Sequence, residues 1–183
     1  MIFLKEERAL LPDDIKEKII KKYNIPDPEP PRNVPKEDRP KNDSEYPGIT
    51  EFVIDPYVGA GVLRLGMTPD EVQKALNFNP RKYRRLHEKE DDYRICFVYY
   101  KEPEICNAIE FFPPASVLFH GKNLLDCSLK EAMEFVRQYD SDLEIEAGFI
   151  SHKYGFGVYA EFGIYEPENP VETVIVFEKG YYD

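Results

Sequence analysis

From Ile49 onward, apolar and polar residues alternate in short runs bounded by Gly, Pro and Asn, the pattern of strands joined by tight turns. Glu51–Phe52–Val53–Ile54 reads as a first strand. It leads through Asp55–Pro56 into a Gly59–Ala60–Gly61 turn, and Val62–Leu63–Arg64–Leu65–Gly66 follows as a short apolar connection. Thr68–Pro69–Asp70–Glu71 then opens a helix. Thr68 is placed to cap the third residue's N–H, Pro69 has no N–H to leave unpaired, and Glu71 reaches back to the cap. Val72, Ala75 and Leu76 form the face of that helix to be buried. Ser128–Leu129–Lys130–Glu131 repeats the same solution. It predicts a helix to about Tyr139 with Leu129, Ala132, Met133, Val136 and Tyr139 as its core-facing stripe.

Between the helices, β-branched and aromatic residues concentrate in Arg94–Tyr100, Ala108–Phe112 and Val117–His120. After the second helix they concentrate in Leu143–Ile150, Tyr154–Phe162 and Val171–Glu178. The order ββ-α-βββ-α-βββ predicts an α+β domain over residues 49–183, an antiparallel sheet with two packed helices. Glu144 and Glu146 alternate with Leu143, Ile145 and Ala147, so one sheet face is expected to be acidic and solvated.

The first 48 residues follow other rules. Behind Leu11–Pro12–Asp13–Asp14, the residues Ile15, Ile19, Ile20 and Tyr23 form an apolar stripe, which predicts an amphipathic helix within residues 1–25. Residues 26–48 hold 7 of the 16 prolines (26, 28, 30, 31, 35, 40 and 47) among alternating charges. Such a segment buries too little to offset its ordering entropy, so it reads as an extended, semi-rigid linker. Pro28–Glu29–Pro30–Pro31 lacks the P-x-x-P spacing with a flanking base that an aromatic groove recognises.

Composition adds bounds. Of 183 residues 42% are apolar, with 13 Tyr and 12 Phe, enough for one packed core. Cys96, Cys106 and Cys127 are an odd number without C-x-x-C spacing, which fits reduced, buried thiols in a cytosolic protein. Met1–Glu7 lacks the long apolar core of a secretory signal, and no stretch reaches the roughly 18–20 apolar residues of a membrane span. A soluble, cytoplasmic protein is expected.

Charge is distributed unevenly. Residues 101–183 carry 16 Asp and Glu against 6 Lys and Arg, 1–48 carry 11 against 10, and 49–100 carry 8 of each. Nearly all of the net −11 therefore sits in the C-terminal half. A surface of that sign repels nucleic acid and anionic membranes and attracts basic proteins.

Local motifs for chemistry are weak. His87, His120 and His152 are isolated from acidic partners at ligand spacing, so a metal site with Cys96 and Cys106 has no local signature. Cys127 with His120 is a conceivable nucleophilic pair, but a buried thiol beside a helix cap accounts for it. Gly155–Phe156–Gly157 lacks the spacing and following helix of a phosphate cradle and reads as a hairpin turn. Arg81–Lys82–Tyr83–Arg84–Arg85 is a basic cluster offset at once by Glu88, Glu90, Asp91 and Asp92, and reads as a solvated loop. No catalytic residue, metal or cofactor is expected. The remaining constellation is acidic and aromatic: Glu144, Glu146, Tyr154, Phe156, Tyr159, Glu161, Tyr165, Glu166 and Glu168. Aromatics supply the desolvated centre of an interface while surrounding acids steer a basic partner. The plainer reading is an acidic surface over an aromatic core.

Leu63–Arg64–Leu65–Gly66–Met67–Thr68–Pro69–Asp70–Glu71–Val72 resembles the GMT-x-x-EV strand-to-helix opening of small bacterial α+β modules, including β-lactamase-inhibitor-like ones. That resemblance implies binding to other proteins. The wider layout is similar to bacterial immunity proteins of polymorphic toxin systems. Leu11–Pro12–Asp13–Asp14–Ile15 resembles the opening of their SMI1/KNR4-like group, although this chain has no tryptophan. The resemblance implies a partner that is a basic toxin domain. Two other readings stand beside it: an adaptor using the N-terminal helix and Pro-rich segment, and a small enzyme with a site assembled from scattered residues.

Overall fold

Both capping boxes close. In the computed structural model, which describes residues 45–84, 89–163 and 165–182, helix α1 is Pro69–Leu76 and helix α2 is Leu129–Val136. The Glu71 N–H donates to Thr68 Oγ1 (3.4 Å), and the Thr68 N–H donates to the Glu71 carboxylate (2.8 Å). Ser128 and Glu131 exchange the same pair at 3.3 and 2.9 Å. These donors hold both glutamate carboxyls below their ordinary range. α1 stops at Asn77, whose left-handed backbone (φ 47°) turns the chain away. α2 ends short of the expected Tyr139, but the Tyr139 N–H donates to the Val136 carbonyl at 2.9 Å, a tightened turn that keeps its ring packed. The amphipathic helix expected in residues 1–25, the linker up to residue 44, and His87 lie outside the described residues.

The described residues form an α+β fold with two sheets rather than the one expected. Strands β1 (Glu51–Asp55), β2 (Gly59–Ala60), β3 (Leu63–Arg64), β8 (Ser116–Phe119) and β9 (Lys122–Asn123) make a five-stranded sheet in the order β3-β2-β1-β8-β9. Strands β4 (Arg81–Arg84), β5 (Lys89–Asp92), β6 (Cys96–Lys101), β7 (Ile105–Phe111), β10 (Glu144–Ile145), β11 (Gly148–Ser151), β12 (Phe156–Tyr159) and β13 (Thr173–Phe177) make an eight-stranded one. Its order is β10-β11-β12-β13-β7-β6-β5-β4. Every pair in the large sheet is antiparallel, while β1 and β8 run parallel. A parallel pair needs a long crossover, here the whole stretch holding α1 and β4 to β7.

Residues Arg81–Arg84 of the basic cluster form a strand, not a loop; Arg85 lies outside the described residues. β4 pairs with β5 so that Arg81 faces Asp92 and Lys82 faces Asp91 across the ladder, opposite charges directly opposed. The Gly59–Ala60 turn and Leu63–Leu65 connection likewise contribute β2 and β3, a small hairpin with Gly59 opposite Arg64.

One core takes the inner face of the large sheet, the small sheet and both helices. Phe52, Val117 and Phe119 meet Val72, Leu76, Leu129 and Val136, and these meet Val98, Ile109, Phe111, Val174, Val176, Phe156 and Val158. Each fully buried side chain of this size contributes about 1.5–3 kcal/mol over leaving it in water. Two polar groups inside are satisfied by each other: Ser151 Oγ donates to the Asp140 carboxylate at 2.6 Å. No helix among the described residues is long and apolar enough to cross a membrane.

Candidate functional site on the open face of the large sheet

Strand alternation sends half of the large sheet's side chains away from the main core. Register places Phe97, Glu110, Ile175, Gly157 and Ile150 in one row across β6, β7, β13, β12 and β11. The next row runs from Tyr99 through Ala108 to Phe177, and on the other side Tyr159 sits between Gly148 and Thr173. Both helices bury their stripes in the main core, so this second face carries a separate cluster. Ala108, Ile150 and Phe177 are its buried centre, with Tyr57, Tyr99, Ile175 and Tyr181 packed against them. The chain's last turn covers part of it: Tyr181 stacks on Phe177 at 5.8 Å and Tyr182 meets the same ring edge-on at 4.9 Å.

Beside that cluster is a groove of about 190 Å³ lined by Glu110, Glu146, Gly148, Tyr159, Thr173 and Tyr182, among others. Glycine makes the groove possible. A Cβ on Gly148 would lie 1.9 Å from the Val158 carbonyl oxygen, and one on Gly157 would project to 3.2 Å from Ile175 Cγ2. Glu110 is fixed in place by two hydroxyls: Tyr99 donates to one carboxylate oxygen at 2.6 Å and Thr173 to the other at 2.8 Å. Burial and that hydrogen bond push the Tyr99 hydroxyl well above its ordinary value. Tyr182 is raised by burial first and then by the negative charge around it, from Glu110, Glu146 and Glu144 besides Tyr181. Two carboxylates, Glu110 and Glu146, thus line one groove with the half-exposed Tyr182. Acids beside aromatic faces attract cations through charge and through the ring quadrupole.

The residues expected to bind a partner separate into groups. Glu146 and Tyr159 line the groove, and Glu144 stands on the adjoining edge strand, where its carboxylate contacts His152. Glu161, Tyr165, Glu166 and Glu168 lie in the connection from β12 to β13. That connection is docked on the start of α2: the Leu129 and Lys130 N–H groups donate to the Asn169 and Pro167 carbonyls, each at 2.9 Å. Glu168 pairs with Lys130 at 2.8 Å, and Tyr165 is 86% exposed. Tyr154 is elsewhere. It is half-buried beside Phe119 (4.9 Å), next to the stacked pair His120–Tyr139 at 4.0 Å. Phe156 is 0% exposed and belongs to the core, so it has no surface to offer a partner. The alternation expected at β10 is also absent: Ile145 is exposed like Glu144, because a two-residue edge strand has no core beneath it.

Sequence reasoning missed Glu110, Tyr99, Thr173 and Tyr182. One signal was available, since Glu110 is the single charge inside the apolar run Ala108–Ile109–Glu110–Phe111. The conceivable catalytic groups are placed differently. Cys96 and Cys106 are buried; burial pushes both thiols up, Cys106 to about 12, which suppresses the nucleophilic thiolate. Burial also raises Cys127, whose Sγ donates to the Leu124 carbonyl. Gly155 occupies the hairpin turn with φ 66°, pressed against the Tyr57 ring, while Phe156 and Gly157 continue into β12.

Fold and site together define an α+β domain with an acidic, tyrosine-lined sheet face. Comparison with known proteins finds no matching family model, curated protein or solved structure.

Proposed function

We propose that this chain is a non-catalytic protein-binding module, an immunity-type inhibitor that neutralises a basic toxin domain by covering it. The observation that carries the reading is the open face of the eight-stranded sheet, where Glu110, Glu146, Tyr159 and Tyr182 converge on one groove. A net charge of −11 supplies the long-range attraction to a basic partner. Half-exposed aromatics supply the desolvated contact. The exposed connection bearing Glu161, Tyr165, Glu166 and Glu168 is a separate acidic segment, docked on the start of α2.

The test is co-expression with the product of the neighbouring gene, where that product arrests growth on its own. Protection of the cells, with a one-to-one complex whose association slows as salt rises, supports the reading. Growth arrest that persists, with no complex between the purified proteins, contradicts it.

A further inference from the structure

The groove has a shape and a chemistry more specific than an acidic surface. It is lined by two glycines, Gly148 and Gly157, two tyrosines, Tyr159 and Tyr182, and the polar residues Glu110, Glu146 and Thr173, among others. Tyr159 and Tyr182 are 39% and 48% exposed, so each presents ring surface. At about 190 Å³ the space takes one long side chain and excludes a helix, whose own diameter is about 10–12 Å. Glu110 is held by Tyr99 and Thr173, which satisfy two acceptor positions of a group that has about four. The others are available to a donor entering the groove.

We infer that this groove receives the guanidinium of a single arginine on the basic partner, stacked on tyrosine and hydrogen-bonded to Glu110 and Glu146. The inference deepens the proposed binding function and rests on it. Arginine fits better than lysine for physical reasons. Its planar head is weakly hydrated, stacks on aromatic faces and donates in a fork that matches carboxylates, whereas an ammonium is strongly hydrated and has no plane to stack. A second copy of this chain is a poor occupant, because it would set −11 against −11 and acids against acids.

The experiment titrates the ¹⁵N-labelled full chain with three blocked tripeptides, N-acetyl-Gly-Arg-Gly-amide and its lysine and citrulline counterparts. The expected result is saturable shifts at the Gly148, Gly157, Thr173 and Tyr182 amides with the arginine peptide. Lysine should bind about three- to five-fold more weakly, and citrulline, which has no charge, should give no saturable shift. Gly157→Ala adds a methyl group where Ile175 and Ile150 already stand at 3.2 and 3.5 Å, and should weaken arginine binding about three- to five-fold. Glu146→Gln, at an exposed position, should weaken it without touching the core, which keeps the test decisive if Gly157→Ala perturbs folding.

Shifts confined to the Glu161–Glu168 connection, or equal affinity for arginine and lysine, would overturn the assignment. A silent groove in a chain that still protects cells from the toxin overturns the arginine site and leaves the binding function standing. An arginine-responsive groove in a chain that forms no complex with the toxin overturns the binding function instead.

Discussion

Ser151 and Asp140 show how much one hydrogen bond carries inside this fold. Both are buried, and the serine hydroxyl donates to the carboxylate at 2.6 Å. Ser151→Ala leaves that carboxylate short of a donor where water does not reach, which should cost about 1–3 kcal/mol in a urea denaturation experiment. The cysteines make a second prediction at this scale. With Cys96 and Cys106 buried and their thiols raised, a thiol reagent at pH 8 should modify Cys127 first and the other two only as the chain unfolds. Burial of Cys96 and Cys106 was readable from composition, whereas Cys127, expected to be buried with them, is part-exposed. The positions of individual aromatics were not: Phe156 and Tyr159, three residues apart in one strand, must face opposite ways, but nothing local says that Phe156 is the core one. In Cys96–Phe97–Val98–Tyr99 no residue is charged, so nothing local marks which pair faces out. Only the strands on either side decide it.

Both helices were legible because their start signals are local. A cap, a proline or leucine and a returning glutamate occupy four consecutive residues, and no tertiary partner is needed to place them. The same boxes set a pH dependence. Glu71 and Glu131 have folded-state pKa values below the ordinary 4.5, so their contribution is present above 4.5 and is lost as pH falls through the folded values. The double variant E71Q/E131Q should therefore show a flatter loss of stability below pH 4.5, read as thermal midpoint against pH. An unchanged acid limb would place the acid sensitivity elsewhere. Strands β4 and β5 were illegible for the opposite reason. Lys89–Glu90–Asp91–Asp92 has little intrinsic preference for a strand, and it becomes one because β4 and β6 flank it and oppose its acids to Arg81 and Lys82.

At the scale of the molecule, the class of fold could be anticipated and its division into two sheets could not. The parallel pairing of Glu51–Val53 with Ser116–Leu118 joins segments more than sixty residues apart, and nothing local announces it. The acidic C-terminal half was plain as a charge count. Its functional geometry depends on Glu110 and Tyr182, which come from different ends of that half and meet only when β7 pairs with β13. The face so built is the centre of the account, and binding to the basic partner proposed above tests it. Isothermal titration should show a one-to-one complex that Tyr159→Ala weakens by about ten-fold or more, as truncating a central tyrosine does at an interface. Full affinity in Tyr159→Ala, together with Glu110→Gln and Glu146→Gln, would mean that this face does not bind the partner.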